Sequence, residues 1–554
     1  MTANTDTNLL VFRDTRTPAA TQELIRQLSK AVAECLENRS ALVDALIRAG
    51  ELECALSDAN SVGASPAGRL TDLLAGLHVL PGSIQSAEIQ SEIHQLRTTF
   101  DLPARVLISP PEGFAYYALH PADFADFAVQ FAFESPIVVI GIRSIGTTLS
   151  AVFAAALKKK GNSATRITVR PTGHPYDRRT EFSWEQLQWV DDNARSSAQF
   201  VVVDEGPGLS GSSFLSTGEA LTTRGIHSNR VTFVGTREPD PAKLCAENAK
   251  DRWSRFRHPI VCPQFYGRFP QTEFLCGGAW RKSFLGSDSE WPACWPQMER
   301  LKFRSADGKL ILKFDGLGRF GQRVRERADC MFRNGFGPSV EDAGDGLTAY
   351  GFIPGQPFTR TDVSSSIIEL MARYCAVRSR EFAVRNGSHQ GIAEMVRHNL
   401  QQQLNLELKP GLEISQEPCP VVADGRMQPH EWIRSSQTIL KVDGCTHGDD
   451  HFLPGPVDIA WDLAGAIVEW NLAAGAEDLL VAQFHRLSGN NPRPRLPAFV
   501  IAYGAFRLAY SRMAMLAVQD SAEAIRWQEA YQFYRERLMR DLRGAGYSEN
   551  GIRS

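Results

Sequence analysis

The sequence predicts an α/β unit built on a parallel sheet, preceded by helices and followed by an α+β unit of two lobes. Three observations carry this expectation. Apolar, β-branched runs at 137–140 and 200–203 each break into a Gly-containing turn and then an apolar helix, the pattern of buried parallel strands in a βαβ series. Upstream, Leu24, Leu28, Val32 and Leu36, then Leu70, Leu73, Leu74 and Leu77, recur at helical spacing. After about residue 296 the pattern restarts, with two strands joined at Asp307-Gly308, a helix from 321 to about 333, and helices again over 497–543. A chain of 554 residues has room for roughly three domains. Shifts in pattern place them at 1–104 (helical), 105–285 (parallel sheet) and 286–554 (two lobes).

Composition narrows the function classes. With Lys+Arg 60 against Asp+Glu 63 the net charge is −3, and no basic field advertises nucleic acid as a partner. The ten Cys form no C-x-x-C pair, which argues against a structural zinc site and a disulfide framework and for reduced core thiols. The first 30 residues carry Asp6, Arg13, Asp14 and Arg16 and no continuous apolar core, and no apolar run reaches membrane-span length. The expectation is a cytoplasmic enzyme with no membrane partner. Its N-terminal apolar stripes would form core or a homodimer surface.

The stretch FVVVDEGPGLSGSSF, 200–214, concentrates the chemistry. A buried strand ends in Asp204 and Glu205. Gly206, Gly208 and Gly211 then let backbone N–H groups approach an anion, while Ser210, Ser212 and Ser213 add hydroxyl donors ahead of a helix whose N-terminal end is positive. This resembles the phosphoribosyl pyrophosphate (PRPP) signature of type I phosphoribosyltransferases, with Glu205 as the second acid and a segment about one residue longer before the Ser/Gly loop. The resemblance implies that Asp204 and Glu205 fix ribose hydroxyls or their Mg²⁺ and that the loop takes the 5-phosphate. It also implies that the turn after the upstream strand, with Arg143 and Ser144, takes pyrophosphate. The segment 166–182, carrying Arg170, His174, Arg178 and Arg179, would be the mobile hood that closes over the polyanion. The aromatic-rich stretch 240–288 would complete an acceptor pocket or form an interdomain pad.

The third region resembles the aminoglycoside phosphotransferase and choline kinase superfamily. ILKF places Lys313 on a strand and the next helix carries Glu326, the pair that would hold ATP phosphates. YGFIPGQP, 350–357, resembles the superfamily's hinge. Asp424, Asp443 and Asp462 follow at equal intervals. The resemblance implies a catalytic Asp424, a metal-binding Asp443 and a structural Asp462 in the D-L-A helix start. Ala423 precedes Asp424 where the superfamily has His-Gly, and His430 or Glu431 stands near its metal-binding Asn, so His430 joins Asp443 as a candidate metal ligand. A rival register reads the His-Gly-Asp at 447–449, with Asp449 as base, Asp458 as metal ligand, and Asp450 and His451 beside them. Its acids lie too close for the strand pair that normally separates them. The cluster His447, Asp449, Asp450 and His451 could instead bind a metal directly or be a solvated loop.

Together the motifs imply Mg²⁺ as cofactor, PRPP and ATP as substrates, and a bifunctional phosphoribosyltransferase and small-molecule phosphotransferase. The alternative is a regulatory protein that senses PRPP or a nucleotide through a degenerate kinase-like domain.

Overall fold

The computed structural model describes residues 16–37, 41–82, 86–132, 136–208, 210–384, 391–407, 414, 420–436, 438–447, 455–518 and 520–547. Two compact units emerge, one of Thr15–Pro270 with Gly316–Arg319, the other of Gln271–Asp315 and Phe320–Ser554.

The first unit begins with a short strand β1 (Thr17–Ala20), the helices α1 (Thr21–Glu37), α2 (Leu42–Asp58), α3 (Ala64–Val79) and α4 (Ser86–Thr98), and β2 (Arg105–Ile108), which pairs antiparallel with β1. Two further helices, α5 (Glu112–Ala115) and α6 (Pro121–Gln130), lead into the sheet. There β3 (Ile137–Ile142), α7 (Ile145–Lys159) and β4 (Ala164–Val169) are followed by a hairpin of β5 (Thr172–His174) and β6 (Asp177–Arg179). The helix α8 (Trp184–Arg195), β7 (Gln199–Val203), α9 (Ser212–Thr223), β8 (Val231–Val234) and a short α10 (Ala249–Trp253) complete it. The strands run parallel in the order β4-β3-β7-β8, the arrangement expected of apolar strands alternating with helices. Every residue of β3 is buried, and Phe200, Val202, Phe214, Phe233, Trp253 and Phe256 share one core cluster.

The N-terminal helices are bound tightly to this sheet. Both α2 and α3 pack on α7, and Gly50 permits the approach, since a Cβ there would fall 2.0 Å from Thr148 Oγ1. Arg166 of the edge strand β4 reaches Glu53 of α2 through two hydrogen bonds of 2.8 Å and Asp72 of α3 through one of 2.5 Å. Of the apolar stripes read from the sequence, Leu28, Val32, Leu70 and Leu74 are buried.

The second unit opens with β9 (Gln271–Phe274) and a segment containing α11 (Trp280–Phe284). It continues through β10 (Lys302–Ser305), β11 (Leu310–Phe314), α12 (Arg319–Arg333), β12 (Val340–Gly344) and β13 (Leu347–Gly351). These strands form one antiparallel sheet in the order β12-β13-β11-β10-β9. Because β9 pairs with β10, part of the aromatic-rich 240–288 stretch lies in this sheet, upstream of the boundary read at 285. A helical lobe follows, with β14 (Gln356–Pro357), α13 (Ser365–Glu381), α14 (Ile392–Leu404), β15 (Val421–Val422), β16 (Trp432–Arg434), β17 (Ile439–Lys441) and β18 (Pro456–Val457). Four helices close it: α15 (Ala460–Glu469), α16 (Ala474–Ser488), α17 (Leu496–Ala517) and α18 (Ser521–Gly544). The last two divide the helical stretch expected over 497–543. Val518 turns extended, and Asp520 caps the next helix by accepting the Glu523 N–H. Trp432, Trp461, Tyr503, Phe506 and Leu538 lie in the core of this lobe. No helix among the described residues is long and apolar enough to cross a membrane.

Candidate functional sites

In the first unit, β7 delivers Asp204 and Glu205 to the C-terminal edge of the sheet, where ligands bind in open α/β folds. Asp204 Oδ1 accepts the Glu205 N–H at 2.8 Å, and the Glu205 carbonyl accepts both N–H and Oγ1 of Thr236 at 2.8 Å, tying the turn to the end of β8. Burial pushes the Asp204 carboxyl up to about 7, against the pull of the Glu205 N–H and Arg170, with Glu112 adding to the rise. Burial likewise lifts Glu205 to about 8, opposed by Arg237, whose Nη2 is 3.4 Å away, and assisted by Glu112 and Asp204. Glu112 acts on both carboxyls through its charge, but among the described residues these three do not bring their ligand atoms within 4.8 Å of one another.

The predicted loop and hood meet. Gly211 takes a left-handed φ of 67° as the residue before α9, a conformation that favours glycine. Ser210 and Ser212 hydroxyls each donate to the Pro175 carbonyl at 2.7 Å, at the tip of the β5–β6 hairpin. Thr180, just past β6, bonds the Ser216 and Thr217 hydroxyls of α9. The hairpin therefore rests on the helix N-terminus, and two hydroxyls expected to face phosphate hold the hairpin instead. Ser213 follows as the second residue of α9. Gly206 lies against Arg237, and a Cβ on Gly208 would meet nothing within 4 Å, so packing alone does not demand glycine at 208. Arg178 donates to the Pro171 carbonyl, while Arg179, largely exposed, lies 3.8 Å from Asp177. On the neighbouring strand, Arg143 follows β3 and Ser144 precedes α7.

In the second unit, Lys313 of β11 contacts the Asp443 carboxylate and Thr446 Oγ1, the latter at 3.1 Å. Glu326 is not its partner: it lies exposed on α12 and accepts from Gln322 at 3.0 Å. The residue of α12 that reaches this corner is Arg327, which donates twice to the Cys445 carbonyl. Burial of Asp443 works against its charge, but Lys313, His447 and Lys302 hold the carboxyl well below its usual range.

Asp424 is fully buried. It accepts from Tyr374 Oη at 2.6 Å, from the backbone of Arg426 and Met427, and lies 3.1 Å from Lys441 Nζ. Burial alone would raise it; Lys441 and His447 hold it far below the usual carboxylate range instead. Asp424 is not among the residues lining the adjoining cavity. The residue that does line the adjoining cavity is Arg426. His430, a proposed metal ligand, stacks on Trp280 with ring centroids 5.4 Å apart, and burial lowers it to about 3. Asp424, Glu431 and His447 do offer ligand atoms within 4.8 Å of one another, but Lys441 Nζ lies 2.6 Å from Glu431 as well, so an ammonium already serves these acids. In the rival register Asp458 is committed to Arg495 at 2.6 Å and to the Ala460 N–H; Asp449, Asp450 and His451 lie outside the described residues.

The cavity measures about 530 Å³. Lys302, Lys313, Asp443, Arg426 and His430 line it together with Trp280, Trp295 and Glu299 from the segment joining β9 to β10. That segment is strapped to α18: Arg281 pairs with Glu523 at 2.7 Å in a buried bridge, the Cys294 N–H donates to Glu523, and Trp527 Nε1 donates to the Cys294 carbonyl at 2.9 Å. Sequence reasoning missed this strap and the second cleft lysine, Lys302, which pairs in register with Lys313 and lies 3.4 Å from Glu299. Alternation of Lys302 and Phe303 around the hairpin was the available signal.

No family model and no curated protein matches the chain. Among solved structures, choline kinase LicA from Streptococcus pneumoniae is similar at 12% identity and a TM-score of 0.31, over 43% of this chain and 89% of that one. An ethanolamine kinase from Plasmodium vivax follows at 10% identity and a TM-score of 0.30, over 44% and 78%. An aminoglycoside phosphotransferase from Alicyclobacillus acidocaldarius aligns at 13% identity and a TM-score of 0.30, over 52% and 97%. Likeness of this degree assigns no chemistry, which the side chains themselves must carry.

Proposed function

We propose that the first unit is a PRPP-using phosphoribosyltransferase and that the second binds an ATP-class polyanion in its cleft. The observation that carries the transferase reading is the Asp204–Glu205 pair. Two carboxyls raised to about 7 and 8 stand at a parallel strand's end, beside a glycine loop and helix N-terminus covered by a cation-bearing hairpin. Their elevated basicity is what a site gains by desolvating acids that a divalent ion or ribose hydroxyls will satisfy. Mg²⁺ would be held by Asp204 and Glu205 and would supply charge against the departing pyrophosphate. Arg143 would add a fixed cation.

For the second unit, Lys313, Asp443 and Thr446 supply a cation, a carboxylate and a hydroxyl at one corner of the cleft, which supports nucleotide phosphate binding. The enclosure of Asp424 favours a unit that binds a nucleotide without transferring its phosphoryl group.

Calorimetric titration of the full chain with PRPP and with ATP, each with Mg²⁺, tests both halves. PRPP heat should vanish in Asp204→Asn and persist in Asp443→Asn, with the reverse for ATP. No PRPP binding by the wild type would refute the transferase reading. ADP formation from ATP that depends on a small-molecule acceptor, with the phosphoryl group recovered on that acceptor, would overturn the binding-only reading of the cleft.

A further inference from the structure

We propose that Asp58, the last residue of α2, is a built-in counter-anion of the phosphate cradle and sets which anions Arg143 accepts. The proposal rests on the transferase reading of this unit and adds a specificity residue from the N-terminal helices, a region in which the sequence motifs suggested no site.

The geometry is an arginine pair sharing one acid. Asp58 accepts from Arg170 Nη2 at 2.6 Å and from its Nε at 3.2 and 3.1 Å. Arg170 Nη1 donates in turn to the Arg143 carbonyl at 3.1 Å. Arg143 Nε lies 3.4 Å from Asp58 Oδ1, yet makes no hydrogen bond to it, and the side chain is only 11% exposed. The neighbouring Cys54, 3.0 Å from Arg170 Nη2, adds no second negative charge, because burial raises its thiol to about 12. One carboxylate thus faces two guanidinium groups and is spent on the first. The second has only the longer ion pair at 3.4 Å and keeps a buried Nε–H with no hydrogen bond, an unmet donor that an incoming anion could satisfy.

Position gives this arrangement its meaning. Arg143 follows β3 and Arg170 follows β4, adjacent strands whose C-terminal ends form the ligand edge of the sheet. The Arg166–Glu53 bridge and the Gly50 contact fix α2 so that its last residue reaches that edge. An incoming anion must win Arg143 in the field of Asp58. A diphosphate, carrying several charges and long enough to engage more than one donor, gains enough to do so; a monophosphate gains much less. Asp58 therefore acts as a filter favouring diphosphate groups.

The test uses inorganic pyrophosphate and inorganic phosphate, each with Mg²⁺, titrated calorimetrically into the full-length protein. Asp58→Asn keeps an acceptor for Arg170 and removes the charge; Asp58→Ser serves if the first variant does not fold, as judged by its thermal melt. The expected result is pyrophosphate bound about tenfold tighter than by the wild type, a change on the scale of one neighbouring charge, with phosphate gaining at least as much so that the preference narrows. Arg143→Gln should lose pyrophosphate with Asp58 present or replaced. Unchanged or weaker pyrophosphate binding in the Asp58 variants overturns the proposal. Ribose 5-phosphate separates the two levels: if it binds while the Asp58 variants show no gain, only the role of Asp58 falls. If neither wild type nor variant takes pyrophosphate or ribose 5-phosphate, the transferase reading fails and this proposal with it.

Discussion

The two carboxylate oxygens of Asp462 accept the backbone N–H groups of Asp424 and Gly425, each at 2.9 Å. Through these bonds the start of α15 fixes the loop that carries Arg426 into the cleft, and Arg378, fully buried 3.5 Å from Asp462, supplies the opposite charge. Asp462 itself is raised to about 6 by burial, against the pull of Arg378. Asp462→Ala should leave two buried N–H groups unsatisfied and cost about 2–5 kcal/mol. Urea unfolding of the purified variant measures it, and a loss below about 1 kcal/mol would show that the loop finds other partners.

The Arg166 bridge makes a parallel prediction in the first unit. Arg166 and Glu53 are almost wholly buried, and removing one partner strands the other charge. Glu53→Gln should destabilise by about 3–5 kcal/mol, whereas replacing both residues with apolar ones of similar size should cost far less. A double-mutant cycle by chemical denaturation distinguishes these outcomes.

The acids at the end of β7 predict a pH dependence. Asp204 and Glu205 are raised to about 7 and 8 in the folded chain, so the native state holds more protons than the unfolded one between about pH 4 and pH 8. Their contribution to stability is therefore fully favourable below about pH 4 and is lost progressively as pH rises through 7 and 8. Melting temperature should show this falling component, and Asp204→Asn with Glu205→Gln should remove it. Mg²⁺ binding should rise over the same window, as the carboxyls ionise.

Lys313→Met should weaken ATP binding and also free the Asp443 carboxyl from its principal positive neighbour. Affinity for ATP should fall at least tenfold, the effect of losing one charge-assisted contact of about 1.5–3 kcal/mol. Equilibrium dialysis with ATP reads this directly, and unaltered binding would place the nucleotide elsewhere.

The strap over the cleft yields a prediction independent of ligand. Glu523 holds both Arg281 and the Cys294 N–H, so Glu523→Ala should release the segment between β9 and β10. Limited proteolysis should then cut within 275–301 faster than in the wild type, with Trp280 fluorescence shifting as its His430 contact loosens.

Strand identity was readable from local pattern: the runs at 137–140 and 200–203, the Asp307-Gly308 hairpin and the Gly-led turn before α9 all form where β-branched periodicity and turn residues put them. The position of Asp204 and Glu205 at the end of β7 was legible because both follow directly from one apolar run. Glu326 was not, because which face of α12 meets β11 depends on packing that helical spacing leaves open, and Arg327 faces the Cys445 carbonyl instead. Asp424 could be found as an acid of the right spacing, but its enclosure by Tyr374, Lys441 and Arg378 comes from segments scattered over 374–441.

By itself the sequence determined the parallel and antiparallel sheets, the glycine turn and the acids that follow β7, since these depend on neighbours a few residues apart. Tertiary structure alone decided which charges meet: Asp58 with Arg170, Lys313 with Asp443, Glu523 with Arg281. Charge pairing in a buried site is a property of distance and desolvation, and both are set only when segments far apart in the chain close on one another.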